Sequence, residues 1–297
     1  MTETGPPHGG RVAGIADAIR RRLGECPPAE RRVARVLLSG YPSAGFETVA
    51  RIAERAGVSA PTVVRFAHRL GFRGFPEFQQ ALREELEQRE ASPLALYTAT
   101  GFAERGETGT EELLSAAPST LARALHATYA ALPPDDLRGA VDLLADPRRR
   151  LLLTGGRFSG LHARYLGLHL LQLRPGVRLL PEHPVERSAE LASGGRHDVL
   201  VVFDFRRYEQ PLLDLARLVA ERHGKVVLVT DGWLSPISAV ADVVLPTQAP
   251  ATTPYDSMVP ALALVETLVT GVLAERGEAA QDHMRAGEAA ARALGLH

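Results

Sequence analysis

Between residues 48 and 70 the chain places polar side chains where they could contact a nucleic acid. Thr48 is a suitable N-cap for a short helix, Gly57 allows a tight turn with positive φ, and Ser59 is a suitable N-cap for a second helix. Two short helices joined by such a turn are typical of a helix-turn-helix unit, whose second helix enters the major groove of DNA. The second helix is predicted to bury Val63, Phe66, Ala67 and Leu70 and to expose Thr62, Arg65, His68 and Arg69.

The distribution of arginine supports an anionic partner for this part of the chain. Of the 34 basic residues only Lys225 is lysine, so a general bias toward arginine weakens any single arginine as a sign of DNA binding. The clustering is more informative, because residues 11–75 contain 12 arginines against 5 acidic residues, while the whole chain has a net charge of -1. Such an asymmetry indicates one module that faces an anion. The competing interpretation is a helical hairpin with a solvated arginine face.

The segment 48–82 also resembles the DNA-binding domain of the RpiR family of bacterial transcriptional regulators. The resemblance is carried by Thr62-Val63-Val64-Arg65-Phe66, Leu70-Gly71-Phe72 and Gly74-Phe75-Pro76-Glu77-Phe78 and covers about residues 11–90. It implies flanking helices around the helix-turn-helix. The DNA-facing positions that it implies are Ser59, Ala60, Thr62, Arg65, His68 and Arg69, with Arg73 as a phosphate contact.

Arg65 is the strongest candidate for a base contact, because a guanidinium matches the two acceptors of guanine. It could equally clamp a phosphate or pair with carboxylates of the preceding helix. Both alternatives stay open at the level of the sequence.

A second candidate site lies in the C-terminal half, where short apolar runs alternate with helical segments. Strands are predicted at 151–154, 177–180, 199–205, 226–230 and 243–245, and helices at 159–173, 185–193, 209–223, 235–241 and 257–275. This alternation predicts a parallel sheet with helices on both faces, which binds ligands at the carboxyl ends of its strands. The loops of interest are therefore 155–160, 204–209, 231–236 and 247–257.

The first of these loops, Thr154-Gly155-Gly156-Arg157-Phe158-Ser159-Gly160, could bring backbone amides close to an anion. It matches no dinucleotide fingerprint and carries no P-loop lysine. The C-terminal half resembles the SIS (sugar isomerase) domain over about residues 120–275. That family holds the phosphate of a sugar phosphate with serines and threonines of the first two loops, and Ser159 matches the serine of the first loop.

The second loop departs from this family. Asp204-Phe205-Arg206-Arg207-Tyr208-Glu209 stands where a serine-rich loop is usual, so a carboxylate and two guanidiniums replace the small hydroxyl donors. Either the pocket is blocked, or it takes an altered anionic effector, carboxylate rather than phosphate. The predicted effector-binding residues are Gly155, Gly156, Arg157, Ser159, Asp204, Arg206, Arg207, Tyr208 and Ser257.

These elements define two domains. We predict an all-α helix-turn-helix domain at 11–90, a Pro/Gly-containing linker at 91–117, and a three-layer α/β SIS-like domain with a parallel sheet at 118–280. A single cysteine, Cys26, excludes an intramolecular disulfide and a cysteine-based zinc cluster. No stretch resembles a signal peptide or a membrane span, so a cytoplasmic protein is expected, with no metal and no cofactor.

The predicted function is a ligand-responsive transcriptional regulator that is not an enzyme. Its expected partners are an inverted-repeat operator in double-stranded DNA, a small anionic metabolite such as a sugar phosphate, and further copies of itself as a dimer or tetramer. The alternatives are a sugar-phosphate isomerase with a helical appendage and a DNA-binding protein whose second domain only oligomerises. The acid–base candidates for an isomerase, His162, Glu182, His183, Glu186 and Glu209, have no distinctive spacing.

Overall fold

A computed structural model describes residues 14–99, 109–248 and 254–296. The chain divides into two compact units, with the boundary between Ser92 and Pro93. Within the described ranges, no helix combines the length and the apolar character that crossing a membrane would require.

The N-terminal unit is helical throughout its described residues. Its α-helices are α1 (Ile15–Arg22), α2 (Pro28–Ser39), α3 (Val49–Ala56), α4 (Ala60–Arg69) and α5 (Phe75–Glu90). Short 3-10 turns follow α1 and α2. A single apolar core contains Ile19, Val33, Ile52, Phe66 and Phe78, each fully or almost fully buried, so that all five helices contribute to it.

Helices α3 and α4 form the predicted helix-turn-helix. The hydroxyl of Thr48 accepts a hydrogen bond from the amide of Arg51 at 3.2 Å and so caps α3. Gly57 ends α3 in the left-handed region, with φ at +61°, where a side chain would be strained. The predicted capping by Ser59 is wrong, because its hydroxyl lies 3.0 Å from that of Thr62 and makes no cap with the backbone.

The C-terminal unit contains a five-stranded parallel sheet, as predicted. The strands are β1 (Arg150–Gly155), β2 (Val177–Leu179), β3 (Asp198–Asp204), β4 (Lys225–Asp231) and β5 (Val243–Thr247). Their order is β2-β1-β3-β4-β5, and every neighbouring pair is parallel. Strands β3 and β4 are buried almost throughout, which agrees with their valine- and leucine-rich sequences.

Helices cover both faces of this sheet and produce three layers. The helices of the unit are α6 (Pro93–Ala99), α7 (Thr110–Ala131), α8 (Pro134–Ala145), α9 (Gly160–Leu173), α10 (Pro184–Ala192), α11 (Gln210–Glu221), α12 (Val259–Arg276) and α13 (Glu278–Leu294). One core joins the sheet to α8, α9 and α12, and a second core joins the opposite face to α11.

The structure differs from the sequence prediction at three places. Residues 110–117 belong to α7, and α6 also lies within the segment predicted as a linker. The helix predicted at 235–241 is only a 3-10 turn at Pro236–Ala239. Helix α13 runs across the predicted domain end at 280. The sequence of α13 is polar and alanine-rich, and the helix buries only Ala280. Its sequence therefore gives no strong apolar signal from which a helix could be predicted.

Candidate functional site

The outer face of α4 carries the exposed part of the predicted DNA-binding set. Ser59, Ala60, Arg65 and His68 are exposed, whereas Val63 and Phe66 on the opposite face are buried in the core. This division follows the helical repeat, because residues three and four positions apart share a face. The face is therefore polar and exposed to solvent.

Thr62 does not lie on this face, contrary to the prediction. Its side chain is 4% exposed, and its hydroxyl accepts a hydrogen bond from Nη2 of Arg65 at 2.9 Å. The same hydroxyl lies 3.0 Å from that of Ser59. Thr62 therefore restrains the exposed guanidinium of Arg65 and is itself shielded from solvent.

Arg69 and Arg73 have carboxylate partners. Nε of Arg69 pairs with Glu30 of α2 at 2.5 Å, and Nε of Arg73 pairs with Glu77 of α5 at 3.1 Å. Among the described residues, Arg65 itself makes no ion pair with a carboxylate of α3; its guanidinium bonds to Thr62. Because Glu30 is almost fully buried, the Arg69 pair joins α4 to α2 and orients the recognition helix.

The second site is a cavity at the carboxyl edge of the sheet. Strands β1 and β3 are neighbours whose following connections diverge toward opposite edges, which is where a parallel sheet opens a crevice for ligands. The cavity has a volume of about 250 Å³. It is lined by Gly156, Arg157, Phe158, Ser159, His162, Asp204, Phe205, Arg206, Arg207, Glu209, Tyr255, Asp256, Ser257 and Met258.

Gly155 and Tyr208 were predicted to contact the effector, but neither lines the cavity. A Cβ at Gly155 would lie 2.8 Å from the backbone of Ser159 and of Gly160, so this glycine is required by the turn. The hydroxyl of Tyr208 donates to Oδ1 of Asp231 at 2.7 Å, beneath the cavity. Both residues support the loops that form the walls.

Ser159 lines the cavity but uses its hydroxyl within the protein. Its Oγ donates to the carbonyl of Phe203 at 2.7 Å and accepts from the amide of Gly156 at 2.8 Å. These bonds join the loop after β1 to the last residues of β3. The hydroxyl proton that would bind a ligand oxygen is therefore already engaged.

The two arginines of the second loop have different environments. Arg206 is buried; its amide donates to Oδ2 of Asp231 at 2.6 Å and its guanidinium pairs with Asp256. Arg207 has a positive φ of 65°, and its half-buried guanidinium makes no hydrogen bond or ion pair with the described part of the chain. Arg206 thus holds the cavity wall, whereas Arg207 offers a cation to a ligand.

Asp204 occupies the floor at the end of β3. Its carboxylate accepts hydrogen bonds from the hydroxyl of Ser235 and, at 3.4 Å, from the amide of Glu209. Burial raises the pKa of Asp204 from 3.8 to about 6, and the bond from Ser235 opposes that rise. Ionised Asp204 disfavours a second anion in the floor.

Glu209 and His162, predicted only as acid–base candidates, also line the cavity. The carboxylate of Glu209 accepts from the amide of Arg157 at 3.1 Å. His162 stacks on Phe203 with ring centroids 5.6 Å apart, and its Nε2 lies 3.0 Å from the carbonyl of Met258. Burial lowers the pKa of His162, which favours the neutral ring. The sequence offered only an indirect signal for these contacts.

Asp231 is the one missed residue with a readable signal. It ends β4, just as Asp204 ends the neighbouring strand β3. Parallel strands bring such residues to one edge of the sheet. The sequence could therefore have predicted that Asp204 and Asp231, each at the end of a buried apolar run, lie at the same edge of the sheet.

Comparison with known proteins places both units in described families. Residues 13–89 match the helix-turn-helix domain of the rpiR family, and residues 143–271 match the SIS domain. The HTH-type transcriptional regulator HexR of Pseudomonas aeruginosa is 29% identical over 279 residues, which cover 91% of this chain and 93% of that protein. The HexR of Escherichia coli is 25% identical and is covered to 92%. The chain belongs to the RpiR family.

Two solved structures share the fold. The sugar isomerase domain of an RpiR transcription factor from Sphaerobacter thermophilus aligns with a TM-score of 0.52 and 24% identity, covering 57% of this chain and 94% of that one. The NanR protein of Vibrio vulnificus, complexed with ManNAc-6P, aligns with a TM-score of 0.51 and 20% identity, covering 94% of this chain and 98% of that one. At these identities the likeness establishes the fold alone.

As an RpiR-type transcriptional regulator, the chain retains few of the acid–base residues considered for an isomerase at its cavity. Glu182, His183 and Glu186 do not line it. His162 is buried, with Nε2 beside a backbone carbonyl, and Glu209 is bound to a loop amide. Of the five acid–base candidates, His162 and Glu209 therefore line the cavity and the other three do not.

Proposed function

We propose that this RpiR-type regulator binds an operator through α4 and binds a small anionic metabolite, a sugar phosphate or a related acid, in the cavity of its SIS domain. Binding of the metabolite would favour one arrangement of the protein over another and thereby change its affinity for DNA. The single observation that carries the proposal is the pairing of an exposed recognition face with a separate ligand-sized cavity in one chain.

The recognition face supports sequence-specific DNA binding. The guanidinium of Arg65 is exposed and restrained by Thr62, a geometry suited to a two-pronged contact with guanine. Arg69 and Arg73 lie beside it, so their charge supports attraction to the phosphates even though each has a carboxylate partner. We assign the base contact to Arg65 and a phosphate contact to Arg73.

The charge at the cavity rim supports an anionic effector. Arg157 is exposed and Arg207 is half-buried, and both line the cavity. Ser159 and Arg206 already have partners within the protein, so a ligand acid would pair chiefly with the two rim arginines. Ser257, just before α12, also lines the cavity, and we assign it to the effector site with the two arginines.

Exposed leucines support self-association. Leu168 and Leu171 of α9 and Leu262 and Leu273 of α12 are each more than a third exposed, although both helices also contribute to the core. Apolar surface of this kind is typical of subunit contacts. We propose that these helices form a twofold dimer, which would place two copies of α4 on an inverted repeat.

A genome-wide binding selection with the purified full-length chain tests the proposal. It is performed at two salt concentrations, with and without extracts of small metabolites. We expect an enriched inverted repeat whose affinity changes when the effector is present. Sequence-blind binding that falls steeply with salt would contradict the operator assignment.

Ser159 bonds to Phe203 and Arg206 pairs with Asp256, and these contacts within the protein favour a second candidate function. In it the SIS domain only assembles the oligomer, and DNA affinity is unaffected by any metabolite. An enriched repeat with no response to metabolites would support this alternative over the sensor.

A further inference from the structure

Glu209 belongs to the second loop, but its carboxylate rests against the backbone of the first loop, where an anionic ligand would bind. Its Oε1 accepts from the amide of Arg157 at 3.1 Å. A Cβ built on Gly156 would lie 2.8 Å from the same oxygen, so the carboxylate rests directly against the glycine backbone. Nε of Arg157 lies 3.9 Å from it. The loop therefore already binds an anion that belongs to the chain itself.

Other donors of the two loops are also engaged internally. The hydroxyl of Ser159 donates to the carbonyl of Phe203 at 2.7 Å, and the amide of Gly156 donates to that hydroxyl. In the second loop, the amide of Arg206 donates to Asp231 and its guanidinium pairs with Asp256. A phosphate on the first loop would have to replace several of these bonds at once.

Charge opposes a phosphate at the same place. Glu209 and Asp204 are both cavity-lining carboxylates, and the amide of Glu209 donates to Asp204. A dianionic phosphate on the loop would meet the Glu209 carboxylate that already rests against Gly156 and Arg157, and like charges repel in a partly buried site. A hydroxyl group meets no such penalty, because it donates a hydrogen bond to a carboxylate.

We propose that Glu209 excludes phosphate groups from the first loop and that the cavity takes an unphosphorylated hydroxy acid. The hydroxyl groups of the ligand donate to Glu209, and its carboxylate pairs with Arg207 at the rim. This inference rests on the proposed effector-binding function and names the ligand class for the same cavity. Glu209 is then the residue that determines specificity against phosphorylated compounds.

The test compares Glu209→Ala with the natural full-length chain, without DNA. Glu209 precedes α11 and its side chain makes no capping bond, so the substitution should leave the helix intact. Glu221→Ala, at the exposed last residue of the same helix, is the matched control. Inorganic phosphate and a panel of glycerate, threonate and gluconate are titrated by calorimetry and by thermal shift.

We expect Glu209→Ala to bind phosphate at least about tenfold more tightly than the natural chain, because one carboxylate charge leaves the loop. The natural chain and Glu221→Ala should bind at least one hydroxy acid, and Glu209→Ala should bind it more weakly. The same hydroxy acid should lose most of its affinity for Arg207→Ala.

Equal affinity of the natural chain and Glu209→Ala for phosphate would overturn the role of Glu209, and so would no phosphate binding by either. Binding of none of the three acids by the natural chain would overturn the ligand class. These outcomes differ from a failure of the proposed regulatory function. If the affinities follow our expectation but DNA binding ignores the acid, the cavity assignment stands and the regulatory function does not.

Discussion

The two candidate sites differ in the distance along the chain over which their polar groups are organised. On α4, Arg65 is held by Thr62, three residues away, and the rest of the face is exposed. In the cavity, Ser235 bonds to Asp204 over 31 residues, Arg206 pairs with Asp256 over 50, and Arg157 bonds to Glu209 over 52. The exposed contacts of α4 are organised largely within that helix, with the Arg69–Glu30 pair fixing it to α2, whereas the cavity is formed by several loops.

This difference follows from the size of the proposed ligands. A duplex is read by a convex surface, so its contacts must project into solvent and need few partners inside the protein. A small ligand is surrounded by walls, whose polar groups lose water and must be paired with one another. The pairing that stabilises the walls also restricts which ligand groups can be accepted.

The largest expected effect concerns the independence of the two units. Phe66 is 1% exposed in the helical core, so Phe66→Ala should lower the free energy of unfolding of the N-terminal unit by about 3–5 kcal/mol. Denaturant titration followed by circular dichroism should resolve an early helical transition and an unchanged transition of the sheet unit. The exposed Phe158 provides the control, since Phe158→Ala should change stability by less than about 0.5 kcal/mol. If both transitions shifted together, the two units would not unfold independently and the prediction would be wrong.

The second effect concerns the buried charge in the cavity floor. Because burial raises the pKa of Asp204 from 3.8 to about 6, the folded state holds a proton there that the unfolded state has released. The free energy of unfolding of the SIS unit should therefore fall as the pH rises from about 4 to about 6. The fall contributed by Asp204 is at most about 3 kcal/mol, from about 1.4 kcal/mol per pKa unit.

Asp204→Asn removes this titration and should flatten the pH dependence of unfolding over the same window. Stability is measured by urea titration at a series of pH values. An unchanged slope in the variant would mean that other groups cause the pH dependence.

The third effect concerns base recognition by α4. Arg65→Ala should weaken binding to the selected operator by about 1–3 kcal/mol and relax the preference at one base position. Thr62→Val should produce part of the same loss, because it removes the hydroxyl that restrains the guanidinium. Binding is measured on a library of single-base operator variants. An equal loss on every sequence would identify Arg65 as a phosphate contact.

The smallest effect concerns the phosphate contact. The side chain of Arg73 is 91% exposed, so Arg73→Ala should weaken binding to all sequences alike by less than about 1 kcal/mol. The slope of the logarithm of affinity against the logarithm of salt concentration should decrease by about 0.9. Arg83→Ala, on the exposed face of α5, should leave the slope unchanged. An unaltered slope for Arg73→Ala would remove it from the interface.

Predictions from the sequence succeeded for local features and failed for contacts between residues that are distant in the chain. The helix-turn-helix and the parallel sheet were confirmed, because apolar periodicity, Gly57 and the alternating segments are local signals. The burial of Thr62 was missed because helical spacing does not reveal how close the flanking chain approaches. The bond from Tyr208 to Asp231 was missed because Asp231 lies on another strand.

The sequence by itself determined the two families, the alternation of the five strands with helices, and the exposed face of α4 apart from Thr62. Each of these depends on residues within a few turns or within one βα unit. Only the tertiary structure decided that Ser159 and Arg206 are engaged internally and that Glu209 rests on the first loop. Those contacts arise where loops distant in sequence meet at one edge of the sheet, and no local pattern specifies which carboxylate meets which amide.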